Sequence, residues 1–226
     1  MKQRYDIYAF IHKGLRAWTS EVLSAAGRVD VSDAEDCAQL SAALRELIAA
    51  HRGHLEHEER FIHPALEAAR PGASAQTEAE HAEHLAGLDA IEKTLLVWES
   101  SQGAERSVVA RSLYRELASW TAQALQHMEM EERDNNAVLW SHYTDEQIAA
   151  LEARLVGAIA PAAMLAYLHH MVPAMAPFER AQLLGGMQQA LPASVFSDIL
   201  GQIKQRLSSR DWFKLLLALG PMPVGV

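Results

Sequence analysis

The sequence has little of several features that define common protein classes. It has one cysteine, Cys37, which excludes an internal disulfide and sites built from several cysteines, such as iron–sulfur clusters. No apolar run approaches the roughly 20 residues that span a bilayer, and the N-terminal segment lacks the apolar stretch of a signal peptide. The formal net charge of −9 argues against nucleic acid and anionic membrane surfaces as partners. We therefore expect a soluble, cytoplasmic protein.

Strand patterns are also lacking. Ala, Leu, Glu and Gln are frequent, and apolar residues recur every three or four positions, which predicts an all-α fold. The first helix is predicted from Tyr5 to Ala26, with Gly27 as its stop. Short polar loops between the four long helices favour an antiparallel, up-down-up-down bundle. The second helix is predicted to begin with a cap at residue 32 or 33 and to end at Pro64 or at the break over residues 69–74. The third is predicted over residues 75–99, and the fourth from about residue 106 to residue 139.

The character of the sequence changes beyond Tyr143. Thr144 begins a capping signal, and recurring prolines then divide the chain into short helices. We therefore predict two parts, a bundle over residues 1–144 and a helical extension over residues 145–226. The apolar density of the extension predicts a second helical layer, which either packs on the bundle or covers an apolar surface of a partner subunit.

Two His-x-x-x-Glu pairs, His54–Glu58 and His127–Glu131, lie on separate predicted helices. A spacing of four places both side chains of a pair on one helix face, where they can reach one metal centre. The other two helices each contribute one inward histidine. Burying these groups among leucines without a cation would be costly, so we predict a metal site with two bridging glutamates. Such ligands suit iron and, less well, manganese or zinc. The predicted ligands are His12, His54, Glu58, His81, His127 and Glu131.

Residues next to these ligands have simpler predicted roles. His51 and His57 lie about 60° to either side of the ligand histidine of helix 2, which predicts positions around the site or on the surface. Glu59 and Glu132 are each the next residue after a ligand glutamate. Their side chains are therefore rotated by about 100° around the helix axis and are predicted to face solvent. His63 is predicted at the mouth of the site or on the surface. Core packing is predicted for Tyr8, Trp18, Trp98, Trp120, Met128, Met130 and Cys37.

Three segments resemble one known family. HLEHEERFIHPAL, EHAEHLAGLDAI and HMEMEE are similar, in order and spacing, to the motifs of hemerythrin-like (HHE cation-binding) proteins over roughly residues 5–142. The resemblance implies an antiparallel four-helix bundle around a non-haem di-iron site with the six ligands named above. His12 matches only as the lone histidine of the first helix. The segment PAMAPFERAQLLGGMQQALP resembles the helical tail of some bacterial members.

The third helix departs from the pattern of the oxygen-carrying members. They have five histidine ligands, including a His-x-x-x-His pair on this helix, whereas His81 and His84 are three residues apart. His84 is therefore expected to be a fifth ligand or a hydrogen-bond donor beside the site. Four histidines with two glutamates resemble instead the bacterial relatives linked to iron-centre repair, nitric oxide response or redox sensing. The paired cysteines of the repair proteins are absent.

These observations predict a non-haem di-iron protein, with two iron ions (or zinc or manganese), that binds or senses oxygen, nitric oxide or peroxide, or handles iron. The alternative is a metal-stabilised helical module that forms a homodimer or binds a partner through its C-terminal helices. A third interpretation treats the histidines as incidental and the protein as metal-free. A ferritin-like site is disfavoured, because that site uses Glu-x-x-His pairs and single glutamates.

Overall fold

The computed structural model of the protein describes residues 4–220, and every regular element within that range is helical. The predicted all-α fold is confirmed. Four long rods form the N-terminal part; rods 2 and 4 each contain a short π-helical turn, and rods 1 and 3 are single helices. The elements in chain order are α1 (Ala9–Arg28), α2 (Ala34–His57), π1 (Glu58–Ile62), α3 (His63–Ala69), α4 (Ala75–Ser100), α5 (Gly103–Met130), π2 (Glu131–Asn135) and α6 (Asn136–His142).

The four rods form a closed ring of neighbours. Helix α1 packs on α2 and α5, and α4 packs on the same two helices. The connections at residues 29–33, 70–74 and 101–102 are short, so successive rods run antiparallel. This is the predicted up-down-up-down bundle. Its buried core includes the side chains that were predicted to pack there: Tyr8, Trp18, Trp98, Trp120, Met128 and Met130.

Local capping sets where the first two rods begin. Rod 1 begins at Ala9 rather than at the predicted Tyr5, because the side chain of Asp6 accepts hydrogen bonds from the backbone N–H groups of Tyr8 and Ala9. Those N–H groups would otherwise lack partners at a helix start. Rod 2 begins as predicted, since Asp33 accepts from two backbone N–H groups of the first turn.

Gly27 and Cys37 do not have their predicted roles. Helix α1 continues through Gly27 to Arg28, and Gly27 is not among the glycines with positive φ. A Cβ atom at Gly27 would lie 3.1 Å from Cε2 of Tyr114, so this glycine leaves room for an aromatic ring rather than ending the helix. Cys37 is only partly buried, with its Sγ atom 3.7 Å from the carbonyl oxygen of Asp30.

The C-terminal extension begins with a helix that shares the core of the bundle. Thr144 and Gln147 form the predicted capping box at its start. Ile148 and Leu151 then pack in one hydrophobic cluster with side chains of rods 2 and 4. The elements of the extension are α7 (Asp145–Val156), α8 (Pro161–Ala174), α9 (Pro177–Ala190), α10 (Ala193–Lys204) and α11 (Ser209–Leu219).

Helix α8 fixes the rest of the extension to the bundle by packing along α1. A Cβ atom at Gly14 would lie 3.0 Å from Cα of Met171, so the glycine permits a close approach of the two helices. The Tyr167 hydroxyl donates to the carbonyl oxygen of Ala50 in rod 2 at 2.7 Å. The extension therefore packs on the bundle of its own chain, which is one of the two predicted arrangements.

Helices α8 to α11 also have a hydrophobic core of their own, built around buried side chains such as Leu184, Phe196 and Ile203. Across residues 4–220, no helix combines the length and apolar character that crossing a membrane requires. The extension is thus a second helical layer, as predicted.

Candidate metal centre

Both glutamates of the predicted pairs occupy the first position of a π-helical turn. The backbone carbonyl of Glu58 accepts a hydrogen bond from the N–H of His63, which follows π1, and the carbonyl of Glu131 accepts one from the N–H of Asn136, which follows π2. Such turns occur mostly as single insertions at functional sites. In rod 2 the turn also accommodates Pro64, because a proline has no N–H to contribute to a regular helix. The rod therefore continues into α3 instead of ending at the proline.

The six predicted ligands meet inside the bundle, and every rod contributes at least one of them. They form two overlapping groups, and within each group the ligand atoms all lie within 4.8 Å of one another. The groups share both glutamates, so two cations placed side by side could be bridged by two carboxylates. Position A is formed by His12, His54, Glu58 and Glu131. Position B is formed by Glu58, His81, His127 and Glu131.

The atoms that point into this cluster are buried and have no hydrogen-bond partner among the described residues. They are the Nε2 atoms of the four histidines and both carboxylate oxygens of the two glutamates. Nε2 atoms lie 3.3–3.7 Å from these oxygens. A buried polar atom without a partner costs roughly 1–3 kcal/mol, and here eight such atoms face one point. Cations would satisfy all of them, so the donor set fits a metal-binding group.

The charges of the cluster shift its pKa values in opposite directions. Burial and the charge of Glu58 raise the pKa of Glu131, whereas the surrounding imidazoles outweigh burial and lower the pKa of Glu58. Burial disfavours the protonated forms of His12 and His81, but neighbouring carboxylates outweigh it and raise their pKa values to about 9 and about 10. Burial lowers the pKa of His54 to about 3. Protons on two histidines thus partly compensate the buried glutamates, and a divalent cation could replace them.

The outward Nδ1 atoms of three ligand histidines contact a second set of carboxylates. Glu59 is 44% exposed, as predicted, although its carboxylate also contacts a ligand histidine, whereas Glu132 is only 27% exposed. A π turn has more residues per turn than the 3.6 of an α-helix, so a residue that follows the ligand glutamate stays closer to the inward face. Glu80, which precedes a ligand histidine, was not predicted to take part. The pairs are His81 Nδ1 with Glu59 Oε1 at 3.1 Å, His12 Nδ1 with Glu132 Oε1 at 3.0 Å, and His127 Nδ1 with Glu80 Oε2 at 2.7 Å.

Three more buried histidines surround the cluster without belonging to position A or B, as far as the described residues show. The ring of His84 lies 4.7 Å from that of His127, and its buried Nδ1 atom has no hydrogen-bond partner. His63 is buried, and its ring lies 5.0 Å from the ring of His81. The Nε2 atom of His51 is 2.9 Å from a threonine hydroxyl of rod 1. These histidines form a polar layer around the ligands.

A buried polar group that sequence reasoning missed connects three rods beside the cluster. The Nδ2 atom of Asn135, at the end of π2, donates to the Tyr8 hydroxyl at 3.3 Å and to Thr77 Oγ1 at 3.2 Å. The Tyr8 ring in turn stacks on the His12 ring at 5.1 Å. Tyr8 is therefore both a core side chain and a neighbour of a ligand. No spacing rule reveals this contact, because its members are distant in the sequence.

A ring of four helical rods that encloses two carboxylate-sharing groups of histidine and glutamate has the architecture of a cation-binding bundle. The sequence matches the family model of the hemerythrin HHE cation binding domain over residues 4–139, more than half of the chain. The protein therefore belongs to the hemerythrin HHE cation-binding family, as its motifs indicated. The whole extension, residues 145–226, lies outside the matched region. A search of curated proteins and a search of solved structures gave no match.

Proposed function

We propose that the protein holds two iron ions, one at position A and one at position B, and that the pair binds a small diatomic molecule such as oxygen or nitric oxide. Glu58 and Glu131 would bridge the ions, and the two histidines of each position would complete its ligand set. The proposal depends on one observation above all: eight buried atoms from all four rods face one point without hydrogen-bond partners among the described residues.

The ligand types favour a redox-active ion with room for a further ligand. Each position offers two imidazoles with carboxylate oxygens, which resembles the combination of two histidines and a carboxylate that leaves open positions in non-haem ferrous oxygenases. When bound, ferrous iron supplies electrons and coordination positions to a diatomic molecule. Zinc and manganese accept the same ligand types, so the metal has to be identified directly.

The protein itself limits what can reach the ions. All six ligand side chains are at most 7% exposed, so the centre lies inside the bundle rather than in an open cleft. The neighbouring aromatic ring of Tyr8 and the core leucines exclude bulk water from this region. A buried site of this kind suits a diatomic ligand and excludes larger substrates.

The test is anaerobic loading of the full chain with ferrous iron, followed by exposure to oxygen or nitric oxide. We expect two iron ions per chain, one for each ligand group, and a change in the ultraviolet–visible spectrum with each gas. Elemental analysis of protein purified from its own source identifies the native metal. An unchanged spectrum together with fewer than two ions per chain would contradict the proposal.

Exposed apolar side chains on the extension favour a second candidate function, a metal-stabilised module that forms a homodimer. Phe213 and Leu217 lie one turn apart on α11 and are 61% and 68% exposed, and Phe178 on the adjacent α9 is 70% exposed. Light scattering that gives twice the chain mass, and a single-chain mass after Phe213→Ser with Leu217→Ser, would support the dimer. A single-chain mass for the unmodified protein at high concentration would contradict it.

A further inference from the structure

The outer carboxylates follow the order of the rods around the ring. Each lies on one rod and contacts the outward nitrogen of a ligand histidine on the next rod, so neighbouring rods are connected in sequence. The contacts are Glu59 of rod 2 with His81 of rod 3, Glu80 of rod 3 with His127 of rod 4, and Glu132 of rod 4 with His12 of rod 1.

We propose that Glu59, Glu80 and Glu132 are positioning residues of the metal centre, which hold three ligand histidines as Nδ1–H donors and leave each Nε2 atom free for a metal ion. This inference rests on the proposed metal centre. An imidazole that donates Nδ1–H to a carboxylate has its tautomer and ring orientation fixed, and its Nε2 atom becomes a stronger donor.

The geometry of each ring supports this role. Every supported histidine has its Nδ1 atom within 2.7–3.1 Å of an outer carboxylate oxygen, while its Nε2 atom points into the cluster without a hydrogen-bond partner. The contact at Nδ1 restricts the rotation of each ring. A metal-binding histidine needs a proton on one ring nitrogen and a free lone pair on the other. Here Nδ1 is paired with a carboxylate and Nε2 is unpaired, which is that arrangement.

Two of the outer carboxylates are themselves held in place. Arg16 donates to Glu132 Oε1 at 2.6 Å, and Gln76 donates to Glu80 Oε1 at 2.9 Å. Glu59 has no such second partner among the described residues, and its side chain is 44% exposed. Since exposed hydrogen bonds are weakened by solvent, we expect Glu59 to contribute least of the three.

Charge supports the same assignment. Two divalent ions would bring four positive charges, of which the carboxylates of Glu58 and Glu131 would compensate two. The remaining positive charge is buried, where ions interact strongly because the effective dielectric constant is low. Carboxylates on the far side of the imidazoles reduce that charge without occupying a coordination position.

One ligand histidine has no such support, which makes the two positions unequal. Among residues 4–220, no carboxylate contacts the Nδ1 atom of His54. Position B therefore has two supported histidines, His81 and His127, whereas position A has only His12. We accordingly infer that an ion at position A dissociates before an ion at position B.

The experiment loads the full chain with zinc(II), a diamagnetic probe, and compares Glu59→Gln, Glu80→Gln and Glu132→Gln with the unmodified protein. Glutamine keeps the size of the side chain and removes its charge. Competition with a chelator should show about 10–100-fold weaker zinc binding for each variant, since outer partners of metal-ligating histidines typically contribute that much. Glu132→Asp, which restores the charge, should recover part of the loss.

Nuclear magnetic resonance of ¹⁵N-histidine gives a readout that a purely structural role would not produce. The zinc-loaded protein should show Nδ1–H protons on the three supported histidines, and each glutamine variant should shift the signal of one of them. Exposed glutamates on the same rods provide matched controls that should leave affinity and spectrum unchanged. The control variants are Glu56→Gln, Glu83→Gln and Glu129→Gln.

The outcomes separate this inference from the proposed function. If the unmodified chain binds two zinc ions but the three variants keep its affinity and its histidine spectrum, the positioning role is overturned and the metal centre stands. If the unmodified chain binds no zinc, manganese or iron, the metal centre itself is wrong. In a chelator chase, we expect one ion to leave at least about tenfold faster than the other; equal release rates would overturn the inequality of the two positions.

Discussion

Glu58 and Glu131 come from opposite π-helical turns, and their carboxylate oxygens lie within 4.8 Å of each other at the centre of the bundle. Two buried carboxylates this close repel, which is why burial and the charge of Glu58 raise the pKa of Glu131. The folded chain therefore contains an unfavourable electrostatic interaction that a cation would relieve. Folding stability and metal binding are linked through this pair.

Glu131→Gln should have effects of opposite sign with and without metal. A carboxyl whose folded pKa is raised destabilises the fold at neutral pH, so its neutral analogue should raise the melting temperature of chelator-treated protein. We expect a gain in the free energy of unfolding, because the neutral side chain removes the repulsion with the Glu58 carboxylate. The same variant should lose the increase in melting temperature that metal gives, because both positions share Glu131.

Glu129→Gln is the matched control for that substitution, since Glu129 lies on the same rod and pairs at the surface with Arg133. Scanning calorimetry should show a change within about 0.5 kcal/mol for this variant, with and without metal. A Glu131→Gln protein that melts below the unmodified chain after chelation would contradict the electrostatic interpretation.

Metal binding near pH 7.5 should release protons. Neighbouring carboxylates raise the pKa of His12 to about 9 and that of His81 to about 10 against the effect of burial, so both are protonated when no cation is bound. A metal ligand must be the neutral imidazole, so about two protons should leave per chain. Titration calorimetry in two buffers with different ionisation enthalpies measures this number, and a value of zero would show that these nitrogens do not bind the metal.

The same two histidines predict how stability changes with pH after chelation. Their folded pKa values, about 9 and about 10, lie above the usual imidazole value of 6.5. The stability they add is fully present below pH 6.5 and is lost as pH rises through 9 and 10. For the two histidines together, these pKa values correspond to a fall in the free energy of unfolding on the order of 6 kcal/mol between pH 7 and pH 10. Denaturant titrations check this, and metal-loaded protein should show a smaller fall.

Gly14→Ala should weaken the attachment of the extension to the bundle. An added Cβ atom would lie 3.0 Å from Cα of Met171, so α8 would have to move away from α1. Overpacking of this kind typically costs about 1–3 kcal/mol. Gly186→Ala in α9 is the control, because nothing lies within 4 Å of its added Cβ atom and alanine favours a helix by roughly 0.5–1 kcal/mol over glycine. Thermal unfolding should therefore move in opposite directions for the two variants, and equal shifts would contradict the close packing.

The helical period predicted four of the six ligands, and His12 and His81 were predicted as the lone inward histidines of the other two rods and from the family resemblance. Residues four apart share a face in any α-helix, so His54 with Glu58 and His127 with Glu131 were predictable from spacing. The same period made it possible to assign the four rods and their buried aromatic side chains. His84, three residues after His81, lies beside the cluster but outside positions A and B.

The outer carboxylates were not predictable by that reasoning, because the helical wheel assumes a regular α-helix. The π turns change the direction of Glu59 and Glu132, and no propensity identifies such turns from sequence. A usable signal was present all the same. Each outer glutamate is adjacent in sequence to an inward ligand, in the doublets Glu58–Glu59, Glu80–His81 and Glu131–Glu132. Contacts between distant segments, such as Gly14 with Met171, depend on tertiary packing and left no pattern in either segment.

The hydroxyl of Tyr167 reaches the Ala50 carbonyl one turn ahead of His54, while α8 covers α1 at Gly14. A proteolytic fragment that stops after Tyr143 would lose the Tyr167 hydrogen bond and would expose the face of α1 around Gly14. Such a fragment should be more prone to aggregate than the whole protein, even though it retains every ligand.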